Sequence, residues 1–209
     1  MRKICAAVFL VAVLVSALPS VTEAAIMTYN SRAAFAVAVP GTTLENWDDD
    51  ADGTVIPNGS TFDGVIYNSS AGAAVVTAAF LPLSSPHTLG RTPINFFAAA
   101  DSMTFTFLAP VNAFAISFNT GAPTNGGYRA QSNLGDIALS FYDPFPGFAT
   151  GQFVGFSSDT PFTSVTVSAL TGFSYTLDDL RYRPVPVPEP AILLLLGGGL
   201  LGLSRRLRR

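Results

Sequence analysis

Residues 103–118 read MTFTFLAPVNAFAISF, and their alternation decides the fold. Met103, Phe105 and Phe107 belong to one face, with Thr104 and Thr106 on the other. Beyond Leu108-Ala109-Pro110, Phe114, Ile116 and Phe118 alternate in the same way with Ala113, Ala115 and Ser117. A period of two carried by aromatic and β-branched residues is the signature of strands with one buried face. The pattern returns in Ile137, Leu139 and Phe141, in Val165 and Val167, and in Phe173, Tyr175 and Leu177. Further strands are expected over 42–47, 62–68, 73–80 and 152–157, with Gly, Pro, Asn and Asp in the gaps. One short helix is expected over 31–39, with Ser31 as N-cap and Pro40-Gly41 as stop. Many short strands and one helix predict an all-β chain: an antiparallel β-sandwich, expected as a jelly roll, with one short N-terminal helix. Most of the phenylalanines belong to its core.

The termini have a different composition. Arg2 and Lys3 precede an uncharged apolar run over 4–18, then Pro19-Ser20 and small residues around Glu23. This is the pattern of a secretory signal peptide cleaved after Ala24. It contains Cys5, the single cysteine, so the mature chain is expected to have neither disulfides nor thiol chemistry. Between residues 25 and 187, five arginines face twelve acids, a net charge of −7. That excludes an electrostatic case for nucleic-acid binding. Proline-rich 184–190 predicts a stiff extended spacer. Residues 191–203 are uncharged, and a helix of that length spans roughly 20 Å, short of the roughly 30 Å hydrocarbon core. Arg205, Arg206, Arg208 and Arg209 close the chain and favour the cytoplasmic side. The expected organisation is therefore 1–24 signal, 25–183 ectodomain, 184–190 spacer and 191–209 sorting tail.

Val187-Pro188-Glu189-Pro190, then an apolar segment, then a terminal arginine cluster resembles the PEP-CTERM sorting signal of Gram-negative bacteria. That resemblance implies signal peptidase and an exosortase as processing partners and transient residence in the inner membrane. It also implies a mature protein at the cell surface or in the extracellular matrix, in the setting of exopolysaccharide and biofilm.

Few groups in the middle of the chain suit catalysis. His87 is the only histidine and lies in a Ser/Pro-rich segment; no Gly-x-Ser-x-Gly, phosphate loop or dinucleotide fingerprint occurs. The expectation is a non-enzymatic protein. Asp48-Asp49-Asp50-Ala51-Asp52-Gly53 places alternating carboxylates at Asp48, Asp50 and Asp52 beside a glycine turn, a way of wrapping oxygen ligands around calcium. It is not an EF-hand, since Gly59 occupies the twelfth position and no helix is expected to flank it.

Leu177 and Leu180 have opposite parity, so both reach the core only if a β-bulge intervenes at Asp178-Asp179. Leu44-Glu45-Asn46-Trp47 and Leu177-Asp178-Asp179-Leu180 loosely resemble the matching segments of jelly-roll carbohydrate-binding modules. In that family an early Glu and a late Asp hold a structural calcium, which would implicate Glu45 and Asp178. Finally, 119–135 is polar and glycine-rich, with Tyr128 and Arg129 as candidates for stacking on and hydrogen-bonding a sugar. The functional expectation is adhesion or matrix association through extracellular polysaccharide. The rivals are a ligand-free structural surface module and a polysaccharide-active enzyme with paired carboxylates.

Overall fold

The computed structural model describes residues 25–145 and 150–186. The expected signal peptide, the PEP motif and the arginine tail lie outside them. In chain order the elements are β1 (Ile26–Tyr29), α1 (Arg32–Ala38), β2 (Thr43–Glu45), β3 (Val55–Ile56), β4 (Thr61–Phe62), β5 (Val65–Ser69), β6 (Ala74–Thr77), β7 (Thr88–Arg91), β8 (Ser102–Thr120), β9 (Tyr128–Ser132), β10 (Ile137–Leu139), β11 (Phe141–Tyr142), β12 (Gln152–Ala169) and β13 (Tyr175–Pro184). All pairings are antiparallel, and the all-β sandwich expected from the alternation is present.

The frame is one long ribbon. β8 and β12 pair from Ser102↔Ser168 through to Phe118↔Gln152. Near Ser102 the ribbon is widened by β5 on β8 and by β9 on β12, which build the first wing. Near Phe118 it is widened by β13 on β8 and by β1 and β11 on β12. β7, β6 and β3 follow beyond β13, completing the second wing. The ladder breaks between the wings, with register shifts on either side of Phe162. Pro110 and Pro161 fall at this break, where a residue without an N–H costs no ladder bond. Phe107, Val111 and Phe162 fill the inside of the corner while Leu108 faces out.

The wings close on each other through aromatic side chains. Phe118 of the second wing stacks on Tyr128 of the first at 4.5 Å, Phe105 meets Phe114 at 6.2 Å, and Tyr128 meets Tyr175 edge-on at 5.1 Å. Aromatic pairs at these separations add about 0.5–1.5 kcal/mol each beyond area burial. The core that results is a single cluster drawn from both wings, including fully buried Trp47, Tyr67 and Leu177.

The second wing is covered on its outer face too, which the alternation does not reveal. Ala113 and Ala115 have small side chains there, so α1 lies on them and buries Phe35 and Val39 against Phe153. Ser31 caps α1 as expected, its hydroxyl accepting the Ala34 N–H at 3.1 Å. Gly155 makes the close approach possible: a Cβ there would stand 2.6 Å from the Phe153 ring and 3.1 Å from that of Phe35. Gly155→Ala is expected to lower stability by about 1–3 kcal/mol through overpacking. Gly172→Ala, where nothing lies within 4 Å, should leave it unchanged; thermal melts of the two variants check this.

Candidate functional site

Two acidic groups lie along β13, built by different elements, and the first also draws on the β4–β5 turn of the first wing. The first forms where β2 runs into the aspartate turn. Trp47 adopts φ 59° and is fully buried, its indole N–H donating to the Tyr67 hydroxyl at 3.2 Å and its backbone N–H to Glu45 Oε1 at 3.1 Å. Anchoring Trp47 presents Glu45 to Asp50 and to Asp63, which stands in the turn between β4 and β5. One carboxylate oxygen from each lies within 4.8 Å of the others. Asp50 Oδ2 is buried with no partner among the described residues. Burial, reinforced by Asp63, Asp50 and Asp49 and opposed by the Trp47 N–H, raises the Glu45 carboxyl to about 7. Burial, with Asp49 and Asp63, also raises Asp50. Three carboxylates this close favour either a shared proton or a bound cation.

Sequence reasoning found two members of this trio and missed Asp63, whose only local signal is the turn dipeptide Asp63-Gly64. It also nominated three acids that the fold sends elsewhere. Asp48 accepts the His87 backbone N–H at 3.1 Å and the Asn46 amide at 2.7 Å. Asp52 accepts the Ala78 N–H at 2.9 Å. Asp178 belongs to the second group.

That group rests on the expected bulge. β13 pairs with β8 at Asp178↔Ser117 and again at Arg181↔Ala115, leaving Asp179 and Leu180 opposite Ile116 alone. Asp179 takes φ 49° to absorb the extra residue, and Leu177 and Leu180 both reach the core. Asp178 is then fully buried on the outer face. Its carboxylate accepts the N–H groups of Leu83, Ser84 and Asp179. Burial and neighbouring Asp179 push Asp178 up to about 8 against these donors. Asp178 is thus a clasp for the 81–84 segment, not a partner of Glu45. Asn119 ties the same segment by donating its amide to Leu81 O.

Two clefts open on this face, one on each side of the 81–84 strap. The larger, about 390 Å³, is lined by Phe80, Phe96, Asn119, Ser174 and Thr176. Phe80 and Phe96 meet edge-to-face at 5.7 Å, with Phe80 partly exposed. Thr176 is 2% exposed, and its hydroxyl has no partner among the described residues. The smaller cleft, about 230 Å³, lies under α1 beside the bulge. Neither was foreseen, because the hydroxyl residues lining them resemble the solvent side of ordinary strands.

The proposed loop ligands do not occupy either cleft as sugar binders. Residues 128–132 form β9, not a loop, and pairing with β12 turns Tyr128 inward. It is fully buried, with its hydroxyl bonded to Thr120 Oγ1. Arg129 is half-buried and donates to Ser168 Oγ at 3.1 Å.

Residues 186–209 match the PEP-CTERM protein-sorting motif, so the tail carries the substrate signal for exosortase processing. That motif implies export and a membrane-anchored precursor. No curated protein matches the chain. Among solved structures, it resembles the catalytic domain of a GH87 alpha-1,3-glucanase bound to nigerose, at 14% identity and a TM-score of 0.41. That match covers 71% of this chain and 29% of the glucanase chain. It also resembles the CBM35 from Cellvibrio japonicus Abf62, at 18% identity and a TM-score of 0.29, covering 68% of this chain and 92% of that one. A Clostridium thermocellum endo-1,4-beta-D-xylanase fragment with CBM22-1 and GH10 modules, bound to xylohexaose, matches at 12% identity and 0.30, covering 64% and 29%.

The raised Glu45 carboxyl has a signed consequence. Its folded value of about 7 exceeds the ordinary 4.5, so the native state binds the extra proton. Its contribution is full below pH 4.5 and is lost as pH rises towards 7. In chelator-containing buffer the difference in melting temperature between wild type and Glu45→Gln should change across that window. A pH-independent difference would contradict it.

Proposed function

We propose that the mature protein is a non-enzymatic surface or matrix component of a Gram-negative bacterium that binds extracellular polysaccharide through the larger cleft. The observation that carries this reading is the pairing of a partly exposed Phe80–Phe96 aromatic corner with the Asn119 side chain and the buried Thr176 hydroxyl, which has no partner among the described residues. A sugar ring presents an apolar C–H face and a polar hydroxyl rim, and this wall offers a counterpart to each. The sorting tail supports the location, since it delivers the domain outward. The non-enzymatic reading is supported by what the gathered acids do: Asp178 clasps the backbone of the 81–84 segment, and Glu45, Asp50 and Asp63 form a three-carboxylate cluster suited to a cation. Affinity electrophoresis of the purified mature protein in a panel of bacterial exopolysaccharides should show retardation. Phe80→Ala should weaken it about fivefold or more with unchanged melting temperature. Retardation equal in wild type and Phe80→Ala would move the ligand elsewhere, and its absence across the panel would favour a structural module.

The acidic trio supports a structural calcium within the same reading. Calcium takes six to eight oxygens, and carboxylates come from Glu45 at the end of β2, Asp50 in the aspartate turn and Asp63 in the β4–β5 turn, with Asp50 Oδ2 unpartnered among the described residues. Calcium is expected to raise the melting temperature of wild type and to leave Asp63→Asn unchanged. Equal melting of wild type in calcium and in chelator would remove it.

A further inference from the structure

The smaller cleft contains an arrangement that the polysaccharide reading does not use. Its floor is Ser117 on β8, 1% exposed, whose hydroxyl has no partner among the described residues. On one wall Arg32 is fixed in place. Its Nε and Nη2 face the two carboxylate oxygens of Asp143 at 3.2 Å each, and Nη2 also donates to Pro144 O at 2.7 Å. The guanidinium carbon stands 5.3 Å from the centre of the Phe145 ring. What this leaves is Nη1, buried and without a partner among the described residues. On the opposite wall the bulge turns Asp179 outward. Ser84 Oγ donates to its Oδ1 at 3.0 Å, while Oδ2 stands 3.9 Å from Arg181 Nη2, beyond hydrogen-bond length. Phe153 supplies an apolar side.

The cleft therefore offers a rigid donor, an acceptor, a hydroxyl able to act either way, and an aromatic side. Two buried polar groups left unpaired in one cavity each cost free energy until something satisfies them. The charges decide what that is. Asp143 and Asp179 already match Arg32 and Arg181, so an incoming anion meets no net positive charge. A neutral group with adjacent hydroxyls fits: one oxygen accepts from Arg32 Nη1, one O–H donates to Asp179 Oδ2, and Ser117 bridges. The volume of about 230 Å³ is below the roughly 300–1,000 Å³ of pockets for larger ligands, which suits one ring or its edge.

We propose that this cleft is a binding site for the vicinal hydroxyls of one neutral sugar residue. Ser117 and Asn119 lie two residues apart on one face of β8, roughly 7 Å. The site therefore lies beside the larger cleft as a second subsite, separated from it by the 81–84 strap. Its place in a longer glycan rests on the polysaccharide reading; its own chemistry does not.

The test uses the mature exported protein and three probes, by calorimetry at low and high salt: methyl glucoside, methyl mannoside and glucuronate. A neutral glycoside is expected to bind with salt-independent affinity, weakened about fivefold by Ser117→Ala and by Asp179→Asn, which removes the Oδ2 acceptor and keeps Oδ1 for Ser84. Neither variant should alter the melting temperature appreciably. Tighter, salt-sensitive binding of glucuronate would overturn the neutral assignment. Absence of binding by all three, or binding indifferent to Ser117 and Asp179, would overturn the site and leave only trapped water as its occupant. Polysaccharide retardation lost in Phe80→Ala but intact in both cleft variants would refute the second subsite and spare the larger cleft. Monosaccharide binding here without polysaccharide retardation would do the reverse.

Discussion

The β8–β12 ribbon is the constraint on which everything else depends. Each strand contributes to both wings, so one antiparallel ladder sets the register of two layers at once. The break near Pro110 and Pro161 lets the ribbon turn without leaving ladder donors unpaired. The turn brings Phe118 onto Tyr128 and Phe105 onto Phe114. Moving that break by one residue would exchange the faces of everything beyond it, exporting Phe114, Ile116 and Phe118 and importing Ala113, Ala115 and Ser117. Function inherits this register. Ser117 and Asn119 face outward only because their neighbours face the core.

A second departure from regular pairing gives the outer face its chemistry. The bulge after Asp178 lets Leu177 and Leu180 both reach the core while Asp178 and Asp179 stay on the outer side. Asp178 clasps the 81–84 strap, and Asp179 walls the smaller cleft. The small side chains of Ala113 and Ala115 let α1 settle close enough for Arg32 to reach over that cleft. Both clefts thus depend on irregularities in strands that otherwise build an ordinary core.

Local patterns were legible in several strands and in the helix, but not in β10, where Ile137 and Leu139 are exposed and Ala138 is buried, nor at Phe173, which is exposed ahead of β13. The alternation at 103–118 predicted the strands, Ser31 predicted the cap of α1, and the parity of Leu177 and Leu180 predicted the bulge. Long-range assembly was not legible. Asp63 joins Glu45 only because the β4–β5 turn folds back on the end of β2. Asp48 and Asp52, next to Asp50 in sequence, instead bind the backbones of His87 and Ala78. Tyr128 looked available because glycines surround it, yet β-pairing with β12 turns it inward. Ser117 and Thr176 looked like solvent-side residues of half-buried strands, since nothing local announces that α1 and the 81–84 strap cover that face.

The measurement that tests the central claim most directly is a titration of the isotope-labelled mature protein with an exopolysaccharide fragment, followed by amide chemical shifts. The expected shifts fall on one face of the second wing, at Asn119, Thr176 and the 81–84 strap, and leave the β9–β10 hairpin unmoved. Shifts centred on that hairpin, or none at saturating fragment, would contradict a binding face built on the outside of the β8–β13 pair.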